Sequence, residues 1–178
     1  MSTLINATEI ITDQWILFTG DAADVPVGSK VLLPIEEWLE RTRVWQEHAG
    51  AVGILLEPTD DPARLKPWLD QIELVSIDFP KFTDGRGFSI ARLLRSRLGF
   101  SGAIRAVGEI VADQVPMLQR CGFTEFETAS DRQAEIALEL LSILLPTYQP
   151  ASDGIRTIPL PGERFDIASL ATESATAQ

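Results

Sequence analysis

The chain has one cysteine, Cys121, and one histidine, His48, among 178 residues. A lone thiol gives no intrachain disulfide and no thiolate metal cluster, and a lone imidazole excludes a multi-histidine metal centre. Cations are scarce: 15 Lys and Arg stand against 26 Asp and Glu, leaving −11 at pH 7. So acidic a chain lacks the basic surface that displaces phosphate counterions, which argues against a nucleic-acid partner. Long apolar runs are also missing. The longest, Ile136 to Leu145, is broken by Glu139 and is too short to cross a bilayer. The N-terminus shows no basic region followed by an apolar run, so no signal peptide and no membrane partner are expected, and the expected location is the cytoplasm. There is no Walker loop. Gly85-Arg86-Gly87 is no dinucleotide fingerprint either, because Ile90 holds the third glycine position. Neither a metal nor a redox cofactor is expected.

What is present is a globular composition, 45% hydrophobic and 23% charged, enough for a sizeable core in one domain. Residues 1–150 read as a single α/β domain. Residues 151–178 read as a polar tail whose end, from about Thr172, is expected to be disordered. Glu9–Ile11 and Trp15–Leu17 suggest a small N-terminal hairpin. Apolar runs at Lys30–Leu33, Ala51–Leu56, Ile72–Asp78, Ala103–Val107 and Phe123–Glu127 read as strands. Helical patterns lie between them. One opens at Pro34 and stops at Gly50, and a short one is capped by Asp60 or Asp61. One runs from about Phe88 to Leu98, and one has Asp113 as N-cap. The last, Ile136 to Leu145, follows a capping box at Ser130 and Gln133 and ends at Pro146. This alternation predicts a mainly parallel sheet of about five βα units, open or shaped as an incomplete barrel. The last helix carries two apolar stripes. Its second stripe calls for cover by the tail, by the hairpin or by a second copy in a homodimer.

The stretch Phe79-Pro80-Lys81-Phe82-Thr83-Asp84-Gly85-Arg86-Gly87-Phe88-Ser89 follows the third of these strands and opens a helix. From Phe79 to Gly108, Lys81, Arg86, Arg92, Arg95, Arg97 and Arg105 face Asp84 alone, a local charge of +5 in an acidic chain. A loop with glycines before a helix N-terminus is a candidate site for a small anion, with backbone N–H groups and Arg86 as donors. The plainer reading is a tight turn needing positive φ. Ser89, Arg92 and Arg95 share one helical face, which suits a ligand or simple solvation. Arg105 lies within a strand and needs a partner, for which Asp78 is expected. Glu57, Asp78, Glu109 and Glu127 fall where strands end, the ligand face of parallel α/β folds. They read as helix caps in preference to metal ligands or an acid–base pair. Cys121 reads as a small buried hydrophobe.

These residues carry a resemblance. The stretch from Phe79 to Ser89, then Ala91-Arg92-Leu93-Leu94-Arg95, Arg105-Ala106-Val107-Gly108, Asp113-Gln114, Arg120-Cys121-Gly122-Phe123 and Tyr148-Gln149, resembles the bacterial family called domain of unknown function 934. The resemblance spans roughly Trp15 to Gln149. Members are often encoded beside assimilatory sulfite reductase and labelled oxidoreductases of sulfite reduction. The resemblance implies an accessory protein of sulfate and sulfite assimilation, with sulfite reductase as partner. Its cationic loop would face sulfite, a phosphorylated small molecule or an acidic patch on that partner. Asp78, Asp113 and Gln114 would support the anion site of Lys81, Asp84, Gly85, Arg86, Gly87, Ser89, Arg92, Arg95 and Arg105. An enzyme acting on a small anionic substrate on a partial-barrel scaffold is the alternative, and a pure interaction module is the third reading. An enzyme should gather Arg86, Arg105, Asp78 and Asp84 in one pocket, and an interaction module should spread them beside an apolar patch.

Overall fold

The computed structural model of the chain describes residues 2–18, 20 and 25–143. The polar tail, Leu145 and Pro146 lie outside them. Seven strands make one sheet: β1 Thr3–Ile5, β2 Trp15–Leu17, β3 Lys30–Pro34, β4 Val52–Leu56, β5 Leu74–Phe79, β6 Ala103–Gly108 and β7 Glu125–Thr128. Their spatial order is β1-β7-β6-β5-β4-β3-β2, and every pairing is parallel except β1 on β7. The mainly parallel α/β sheet expected from the sequence is the one that forms, curled into a half-barrel. It has seven strands because the N-terminal residues add one to each edge. The expected hairpin between Glu9–Ile11 and Trp15–Leu17 does not form. The Asn6 side chain accepts the N–H groups of Thr8 and Glu9, which closes a turn directly after β1. Ile10 therefore bridges to Ile5, and the Ile11 N–H reaches the Leu4 carbonyl. Trp15–Leu17 is then free to pair with β3 at the far edge.

One face of the sheet is covered by helices. Val31, Leu33, Ile54, Leu56, Val75, Ile77, Phe79, Ile104, Ala106 and Phe126 alternate along their strands and share one buried cluster with helical residues. Those helical residues come from α1 Ile35–Glu40, α2 Thr42–Gln46, α3 Arg86–Ser96, α4 Val115–Arg120 and α5 Asp131–Ser142. The single helix expected from Pro34 to Gly50 is two. The Thr42 hydroxyl donates to the Trp38 carbonyl at 2.6 Å and competes for that acceptor, and the chain kinks at Arg41. The segment capped by Asp61, Pro62–Gln71, is a 3-10 helix and not an α-helix. Pro67 inside it has no N–H for an i−4 bond. Asp113 is not an N-cap. It sits within a 3-10 turn, Ala112–Gln114, that leads straight into α4. On α5, Ala134 and Ala137 are buried and Leu138 and Leu141 pack against the core, so the stripe expected to need outside cover is the inward one. No described helix is long and apolar enough to cross a membrane.

The other, inner face carries the opposite residues of the same strands: Leu32, Gly53, Leu74, Ser76 and Arg105, in register across β3 to β6. Residues 10–15 cross it as a strap from the β1 edge to the β2 edge. Trp15 lies over β4, where a Cβ on Gly53 would stand 2.9 Å from the Trp15 ring and 3.2 Å from Leu74. Only glycine admits that approach.

Candidate functional site

The basic stretch forms the loop after β5 and the helix α3. That helix starts at Arg86, two residues before the expected point. Gly85 precedes it with φ −81 and open space around a built Cβ, so no left-handed turn is present. Gly87 is required for another reason. A Cβ there would stand 2.4 Å from the tip of the buried Phe79 ring. Asp84 accepts the Arg86 backbone N–H at 3.1 Å and the Arg86 side chain through Nε at 3.0 Å and Nη2 at 2.6 Å. These bonds from Arg86 hold the Asp84 carboxyl down at about 2. The helix N-terminus thus receives its anion from its own chain. Lys81, Ser89, Arg92 and Arg97 are exposed.

Arg95 does not share the exposed face of Arg92. It turns back and donates to the carbonyls of Phe100 at 2.7 Å, Gly102 at 2.6 Å and Gly122 at 3.0 Å. Burial lowers its pKa from the usual arginine value. Gly122 has φ +106, and a Cβ there would sit 2.5 Å from Cγ of Arg95. Gln114 joins two edge loops by donating to the Phe82 carbonyl at 2.8 Å and accepting the Val111 N–H at 3.3 Å. The side chains of Phe82 and Val111 stay exposed at 56% and 37%. Asp113 is exposed beside them.

Arg105 is elsewhere, on the inner face, with 3% of its surface exposed. The expected pair with Asp78 is not made. The register sets Ser76 opposite Arg105 and Asp78 opposite Val107, one pleat further along. Arg105 instead bonds its neighbour on β7, Glu125, at 2.8 Å, and Asp13 of the strap at 3.0 Å. Arg86 and Arg105 therefore do not meet in one pocket. Asp78 is half-buried at the end of β5. Gly108, with φ +91, leaves room for its carboxylate, since a Cβ there would stand 2.7 Å from Oδ1. Among the described residues no group of three His, Cys, Asp or Glu side chains is placed to hold a metal ion.

A family profile described as a bacterial protein of unknown function (DUF934) matches residues 53–158. The chain belongs to this family. No curated protein matches it. Within the DUF934 span several motif residues now have structural work: Gly87 seats α3 on Phe79, Arg95 ties the loop before β6 to the loop before β7 at Gly122, and Gln114 braces the edge. The sequence reading missed Ser76, Glu125 and Asp13. Ser76 had a signal, as the polar residue of the apolar run Leu74–Ile77. Glu125 and Asp13 had none, because strand register and the strap's path are tertiary.

Burial raises the Asp78 pKa, and the neighbouring Glu57 charge adds to the rise. A carboxyl whose folded pKa exceeds its unfolded value binds more protons when folded, so its contribution to stability falls as pH rises between the two values. Asp78→Asn is therefore expected to raise the melting temperature at pH 7, with the gain vanishing below the unfolded aspartate range. Melting curves from pH 3 to pH 7 check this; a variant less stable than wild type at pH 7 contradicts it.

Proposed function

We propose that this DUF934 chain is an accessory protein of assimilatory sulfite reduction that docks on an acidic surface of its partner, sulfite reductase. The pathway rests on the family resemblance. The observation that carries the docking mode is the edge itself. Lys81 and Arg86 are exposed beside Phe82, an apolar spot that Gln114 ties to Val111, and Arg92 is exposed further along α3. Asp84 already takes the helix N–H and the Arg86 fork, which leaves less for a free sulfite or phosphate ester than for a broad charged surface. The enzyme reading keeps one observation in its favour, the adjacent carboxyls Glu57 and Asp78 at the carboxyl ends of β4 and β5.

The test uses the purified chain and the sulfite reductase of the same bacterium. Binding should weaken as salt rises from about 50 to 200 mM. Lys81→Glu with Arg92→Glu should weaken it about tenfold, and Phe82→Ser should do so without changing the salt slope. Deletion of the gene should slow growth on sulfite, with rescue by cysteine. Absence of binding together with normal growth on sulfite overturns the proposal.

A further inference from the structure

The Arg105 guanidinium holds two carboxylates, although its single charge balances one. The two are not equivalent. Glu125 is a register neighbour on the sheet, with its side chain 20% exposed. Asp13 comes from the strap, with its side chain 49% exposed and Thr12 and Gln14 exposed on either side. On the other flank of Arg105, Ser76 is fully buried and its hydroxyl has no hydrogen-bond partner. Buried hydroxyls are seldom left so, and each exception asks for a reason.

We propose that the inner face is a binding site for a small oxyanion, a carboxylate or a sulfur oxyanion, held by Arg105 and Ser76, and that Asp13 is a built-in stand-in which the ligand displaces. Exchange of the Asp13 carboxylate for another monoanion, a carboxylate or hydrogen sulfite, leaves the charge around Arg105 unchanged. The ligand gains the Ser76 hydroxyl, which Asp13 does not use. Displacement lifts the strap. Its movement is reported by Trp15, whose backbone N–H donates to the Asp13 carboxylate at 3.0 Å and whose ring lies over Gly53. The inference is independent of the docking edge and uses none of its residues.

The test titrates acetate and sulfite separately into the full isotope-labelled chain, following the Trp15 indole and the Ser76 amide by NMR. Sodium chloride at equal ionic strength is the control. Asp13→Asn removes the competing charge at constant size and should tighten binding about tenfold. Ser76→Ala should weaken it severalfold, with the rest of the amide spectrum unchanged. Response to acetate alone assigns a carboxylate, and to sulfite alone a sulfur oxyanion. The proposal is overturned if Asp13→Asn shows no shift with either anion at about 50 mM, if it binds no tighter than wild type, or if chloride reproduces the shifts.

Discussion

Gly87→Ala should lower stability by about 1–3 kcal/mol, while Gly85→Ala should stay within about 0.5 kcal/mol of wild type. The two glycines flank the same arginine and look alike in sequence. Gly85 has φ −81 and open space where a methyl would go. Alanine there trades a slightly poorer N-cap for a less flexible unfolded chain, and the two nearly cancel. Gly87 is the second residue of α3, where alanine would ordinarily gain less than about 1 kcal/mol in helix propensity. That gain is overridden by the Phe79 ring. Three of its atoms would lie within 2.9 Å of the new Cβ. The ring cannot swing aside, because Phe88 packs edge-on at 5.6 Å and Phe123 lies at 5.9 Å. Either α3 lifts from the sheet or Phe79 leaves its rotamer. Urea denaturation of both variants decides the matter, and equal stabilities would mean that the α3–β5 contact is looser than its atoms suggest.

The sheet was legible because each βα unit is a local pattern. An apolar run, a turn residue and a 3.6-residue period sit within some twenty residues of one another. The edges were not. β1 and β2 have three residues each, too few for periodicity, and their partners are chosen by the Asn6 turn and by the room over Gly53. At the basic stretch the charge was legible and its distribution was not. Helical spacing puts Arg92 and Arg95 on adjacent positions, but an arginine side chain is long enough to leave its own face. Arg95 finds three carbonyls at the ends of other elements. Arg105 was rightly read as needing a counter-charge, and the acid at the end of the preceding strand was the wrong one. Residue parity gives the face of a strand, while which residue stands opposite depends on register.

Arg105→Ala should destabilise the protein by about 3–5 kcal/mol, the range for breaking a buried ion pair from one side. The Arg105 side chain is 4% exposed, and its guanidinium is bonded to Glu125 and Asp13. Its removal leaves Glu125 four-fifths covered and without its cation, beside a Ser76 hydroxyl that offers no compensation in its present state. Arg105→Lys should recover only part of the loss, because an ammonium is one point of charge and cannot span two carboxylates as the planar fork does. Asp13→Asn is the contrasting change. Half of that side chain meets water, so its loss should cost less than about 1 kcal/mol. Glu125→Gln in the Arg105→Ala background should restore stability, since the stranded charge is what makes the single variant costly. A double-mutant cycle by urea denaturation separates these terms. A cost below about 1 kcal/mol for Arg105→Ala would mean that water reaches Glu125 once the arginine is gone, and that the inner face is open without any movement of the strap.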